Sequence, residues 1–119
     1  MASIQQSLDE LLTLDGALVA ALVDSDSGMM LGQAGSGVDL ELAAAGNTEV
    51  MRAKIKTMKS LKLDDVIEDI LITLGKQYHI IRPLVRAEGT FFYYVLDKNK
   101  SNLALARRKL QSIEAEVAL

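Results

Sequence analysis

With 119 residues, 50% of them apolar and 24% charged, the chain has the size of a single domain, 1–119, with one real core. A formal charge of −3 and the absence of cysteine exclude a general basic surface for nucleic acid, a disulfide framework and a thiolate metal site. Residues 1–6 lack the basic and apolar regions of a signal peptide, and no run approaches the ~20 apolar residues of a membrane span; a cytoplasmic protein without membrane insertion is expected.

In chain order, Ser3 can cap a first short helix whose apolar face is Ile4, Leu8, Leu11 and Leu12. Ala17 to Val23 is apolar at every position and short, the pattern of a strand covered on both faces. Asp24-Ser25-Asp26-Ser27-Gly28 is turn chemistry, and Met29 to Ala34 returns as the second strand of a hairpin. After Gly35-Ser36-Gly37, Asp39 caps a long helix that runs to Leu61. On that helix Leu40, Ala44, Met51, Ile55 and Met58 form one stripe, wide enough to cover a sheet. Beside it lies a second surface of small side chains, Ala43, Gly46, Val50, Ala53 and Thr57. Only Glu49, Arg52, Lys56 and Lys59 make a strongly charged side. A helix outside a small monomer needs one apolar stripe; the second predicts a second copy of the chain against it.

Three closely spaced strands follow. The first is Val66 to Leu74, with Ile70, Ile72 and Leu74 on one face and Glu68 and Asp69 as charges that discourage edge pairing. Gly75-Lys76 turns into Gln77 to Leu84, where Pro83, lacking an N–H, belongs at the strand end. Thr90 to Leu96 is apolar on both faces and so belongs centrally, beside the first strand. A last helix, capped near Ser101, repeats Leu103, Ala106, Leu110, Ile113 and Val117, with Arg107, Arg108 and Lys109 on its solvated side. The order α-β-β-α-β-β-β-α with short connections implies an α+β fold of three layers, α/β/α, around a five-stranded antiparallel sheet. The first and last helices share one face and the central helix covers the other.

Catalytic parts are scarce. Asp24 and Asp26 resemble the strand-end aspartates of phosphatases, but Ser27-Gly28 is not the expected continuation, and an enzyme built on them is the least favoured reading. As a calcium loop the stretch has Met29 where glycine is needed and Gly35 where the bidentate glutamate belongs. Gly32 to Gly37 is not the dinucleotide fingerprint, and Gly75-Lys76-Gln77 is no phosphate loop. His79 is the only histidine, and Tyr78 and Phe91 to Tyr94 fit sheet packing better than base stacking. No catalytic, cofactor-binding or metal-binding residue is assigned.

Read together, several pieces resemble the roadblock family of small GTPase-regulating and dynein light-chain proteins. They are Leu11 to Asp24, Ser27 to Gly32, Leu42-Ala43-Ala44-Ala45, Ile70 to Gly75, Phe91 to Asp97 and Asn102 to Arg107, in this order over nearly the whole chain. The resemblance implies a roadblock/longin/profilin-like sheet with helices on both faces. It also implies a homodimer through the central helix and the strand after it, which adds Ile70 and Ile72 to the small-residue surface. Family members accompany Ras-like GTPases as activators or scaffolds, or serve dynein complexes. The function implied is a non-enzymatic, cofactor-free homodimer that binds and regulates a Ras-like GTPase, with Glu49, Arg52, Lys56 and Lys59 as its contact patch. The alternative is a structural light chain or assembly scaffold without effect on nucleotide turnover.

Overall fold

The computed structural model describes residues 2–119. Its elements are α1 (Ile4–Leu11), β1 (Ala17–Asp24), β2 (Met29–Gly35), α2 (Leu40–Ser60), β3 (Ile70–Thr73), β4 (Gln77–Pro83), β5 (Thr90–Asp97) and α3 (Leu103–Glu116). The five strands form one antiparallel sheet in the order β2-β1-β5-β4-β3, with β5 between β1 and β4. The expected α+β architecture and element order are those of the molecule.

Alternation along the central strands builds two cores. Phe92, Tyr94 and Leu96 of β5, with Ala20 and Leu22 of β1, face Leu8 and Leu11 of α1 and Leu110 and Ile113 of α3. Phe91, Tyr93 and Val95, with Val19, Ala21 and Val23, face Leu40, Ala44 and Met51 of α2. The Tyr94 hydroxyl donates to the Leu11 carbonyl, one of the orphan acceptors at the end of α1. Ser3 caps α1 through a reciprocal box with Gln6, and Asp39 caps α2 by accepting from the Leu42 N–H.

Helix α2 ends in a Schellman motif: the Lys62 N–H donates to the Lys59 carbonyl and the Leu63 N–H to the Met58 carbonyl. Lys62, at φ 58°, holds the left-handed position that glycine usually takes.

Three expectations are corrected. The strand expected from Val66 begins only at Ile70. Continuing the β3–β4 register would set Glu68 opposite Pro83, which has no N–H for the ladder. The cap of α3 expected near Ser101 is the adjacent Asn102, whose side chain accepts from the Leu105 N–H. Arg107 and Lys109 are not simply solvated: they pair with Asp69 and Glu10, leaving Arg108 exposed. Asp69 is thereby neutralised within the chain rather than left as a free edge charge.

A buried carboxylate fastens the β4–β5 loop. Glu114 of α3 accepts from Arg82 Nε and from the Val85 N–H, each at 2.9 Å, while Arg86 donates to the Glu114 and Val117 carbonyls. The ends of the described chain also meet: Ala2 pairs with Val117 in a parallel bridge, beside α1 and α3.

Candidate functional site

The two sheet edges differ. On β2 the register shift between Leu22 and Val23 leaves Leu31 as an extra, bulged residue, and Gln5 Nε2 donates to the Gln33 carbonyl. A bulge and a side chain across the backbone are ordinary ways of blunting an edge. The four residues of β3 pair with β4 in unbroken register, and among the described residues no strand lies on their other side.

Helix α2 seats unevenly. Leu40, Ala44 and Met51 of the expected stripe are buried, and so is Thr48, at 1% exposure. Thr48 escapes a reading of apolar residues because its hydroxyl is satisfied locally, donating to the Ala44 carbonyl at 2.7 Å. Ile55 is corrected: it is 37% exposed, and Met58 is only half-buried. A helix of 21 residues is ~32 Å long at ~1.5 Å per residue, and none of its residues after Met51 is buried.

What those last turns leave is a groove of about 690 Å³ between α2 and the segment leading into β3. Val50, Ala53 and Thr57 line one wall; Val66 and Ile70 line the other. Val50 is 38% and Val66 77% exposed. Gly46 and Ala53 are exposed and Ala43 half-buried, and a Cβ at Gly46 would meet nothing within 4 Å. Ile70 and Ile72 are both half-buried and two apart on β3, so they share a face, with Ile70 packed against the α2-side core. The residues assigned to self-association thus lie on α2 and the β3 edge, with Val50, Ala53, Thr57 and Ile70 around one groove.

Beside Ile72, and paired with it across the strands, is His79. Its Nδ1 lies 3.0 Å from the Tyr93 hydroxyl and its Nε2 2.8 Å from Gln77 Oε1, and its ring meets Tyr93 edge-on at 5.6 Å. Neutral imidazole fits these partners, accepting from Tyr93 and donating to Gln77. Burial lowers the His79 pKa, and burial raises that of Tyr93 against the opposing hydrogen bond from Asn47.

The charged side of α2 divides in two. Arg52 Nη2 donates to the carbonyls of Ser25 and Asp26, both at 2.7 Å, and Nη1 to Glu49 Oε1 at 3.2 Å. Arg52 therefore clamps the β1–β2 turn, with Glu49 orienting it. Lys56 and Lys59 are exposed and make no ion pair among the described residues. Within the turn the Asp24 carboxylate accepts from the Asp26 N–H and the Ser27 hydroxyl, the bonds of an Asx turn. Ser25 ties the same turn to the β4–β5 loop, its N–H and hydroxyl both donating to the Gly89 carbonyl.

No protein-family model and no curated protein matches the chain. Solved structures do. A Roadblock/LC7 domain from Streptomyces avermitilis superposes with a TM-score of 0.82 at 11% identity, covering 96% of this chain and 93% of that one. MglB from Myxococcus xanthus gives 0.83 at 18% identity, covering 95% and 89%. An MglB with a tetrameric arrangement gives 0.79 at 18% identity, covering 92% and 80%. What is shared at such identities is the path of the backbone, and the chain has the Roadblock/LC7 fold.

Proposed function

We propose that the chain is a self-associating interaction module that binds and regulates a Ras-like GTPase, without chemistry of its own. The observation that carries the reading is the bare β3 edge beside an apolar groove on α2, in a molecule whose opposite edge is blunted. Pairing two β3 edges would continue one sheet through two chains and bring the two α2 helices together. The tetrameric MglB with the same fold supports assembly from this scaffold.

The GTPase part rests on the sequence resemblance and on the exposed Lys56 and Lys59, a patch suited to a carboxylate-rich switch surface through steering and rim contacts. Of the five arginines, Arg52, Arg82, Arg86 and Arg107 are committed to partners within the chain. None of those four is free to serve as a catalytic finger, and the fifth, Arg108, is exposed on α3, away from the α2 contact patch; faster hydrolysis would come from remodelling the GTPase itself.

Light scattering at micromolar concentration tests the first step, with a dimer expected and a monomer defeating it. Affinity capture followed by GTP-hydrolysis assays tests the second. A co-purifying GTPase with altered turnover is the expected result; one with unaltered turnover would make the module a scaffold.

A further inference from the structure

The groove between α2 and the segment before β3 carries opposite charges on its two walls. On the α2 wall the ionised side chain is Lys54; on the other wall they are Asp65, Glu68 and Asp69. Asp69 is taken by Arg107. Lys54, Asp65 and Glu68 are exposed, and none forms an ion pair among the described residues.

This arrangement has a symmetry consequence. In a two-fold contact the same patch meets itself, residue i against j and j against i. A patch of one sign would repel its copy, and a chain of net charge −3 already repels another. A patch divided into a positive and a negative wall is self-complementary, because each wall meets the opposite wall of the partner. The groove between the charges is apolar and continuous with the unpaired β3 edge, so the same contact would cover all three features.

We propose that Lys54 of one chain pairs with Asp65 and Glu68 of a second copy, twice across a two-fold axis, and that this pairing sets the register of self-association. The inference rests on the reading of the chain as a self-associating module and adds to it which charges hold the copies together. The groove thereby selects a second copy over a partner of single sign. Raising the salt concentration loosens the pair, since exposed ion pairs are screened.

Charge reversal tests it on the full chain. K54E and E68K each place like charges against each other twice in the dimer, and each should raise the dissociation constant at least about tenfold. The double variant K54E/E68K should bind more tightly than either single variant but short of the wild type, because Asp65 still faces the reversed position 54, and an equimolar mixture of the two single variants should form a heterodimer. All the substituted side chains are exposed, and circular dichroism and thermal unfolding check that each variant is folded. A wild-type dimer whose dissociation constant neither reversal moves, or a double variant as weak as the singles, overturns this inference and leaves self-association standing. A wild-type monomer overturns both.

Discussion

Arg107 of α3 grips Asp69 at the foot of β3 through two parallel hydrogen bonds, Nε to Oδ2 at 2.8 Å and Nη2 to Oδ1 at 3.0 Å. The pair is a side-chain link between the last helix and the segment that forms one wall of the groove, one residue before β3 begins. Asp69→Asn keeps the shape and removes the charge. Because Arg107 is partly exposed, the expected loss of stability is only about 0.5–1 kcal/mol. The clearer signal is local: amides of residues 65–71 should exchange faster with solvent, with those of β1 and β5 unchanged.

Arg52 and the two lysines beyond it can be separated by experiment. Arg52→Ala removes two hydrogen bonds to the β1–β2 turn and should cost about 1–2 kcal/mol in urea unfolding. Arg52→Lys should not restore it, since one ammonium cannot reproduce the planar fork that reaches both carbonyls. Lys56→Glu and Lys59→Glu should leave stability within about 0.5 kcal/mol and weaken only capture of the GTPase. Unchanged capture by the lysine variants would remove them from the contact patch.

Lys62 occupies a glycine position at the end of α2. Lys62→Gly should raise stability by about 0.5–1 kcal/mol, read as a higher urea midpoint with an unchanged slope. A lowered midpoint would mean that the lysine side chain contributes more than the backbone strain costs.

Glu114 is buried with two donors aimed at it. Glu114→Ala leaves Arg82 and the Val85 N–H without their acceptor and should destabilise by about 3 kcal/mol. Thermal unfolding measures it, and the β4–β5 loop should be the first region cut by protease.

His79 gives the molecule a weak acid sensitivity. Its pKa is lowered by burial from the ordinary 6.5, so the unfolded chain binds the proton more readily than the folded one. Its contribution to stability is therefore complete above 6.5 and is lost as pH falls from there through the lower folded value. His79→Gln should flatten that part of the stability–pH curve compared with the wild type. An identical slope in both proteins would place the sensitivity elsewhere.

The element order, the caps at Ser3 and Asp39 and the doubly buried β1 and β5 could be read from residue type and period, because each is a local property. The misreadings share another cause. Ile55 continues the apolar stripe, but whether sheet lies beneath it depends on how far the other elements reach. Val66 continues a strand pattern, but the ladder stops at Pro83, 17 residues further on. Arg52, Arg107 and Lys109 look like ordinary solvated charges until a turn, a strand end and another helix come within 3 Å of them. Glu114 gave no signal beyond interrupting an apolar pattern, and Thr48 was hidden by a hydroxyl that is satisfied inside its own helix.

The bridge between Ala2 and Val117 has a practical consequence. Ala2 and Val117 lie together on the α1 and α3 layer, with the sheet between them and α2. An anchor, label or fused protein attached at either end would stand behind the molecule and leave the α2 side turned outward. Two chains joined at their β3 edges would carry their tails on the face of the continuous sheet opposite the two α2 helices.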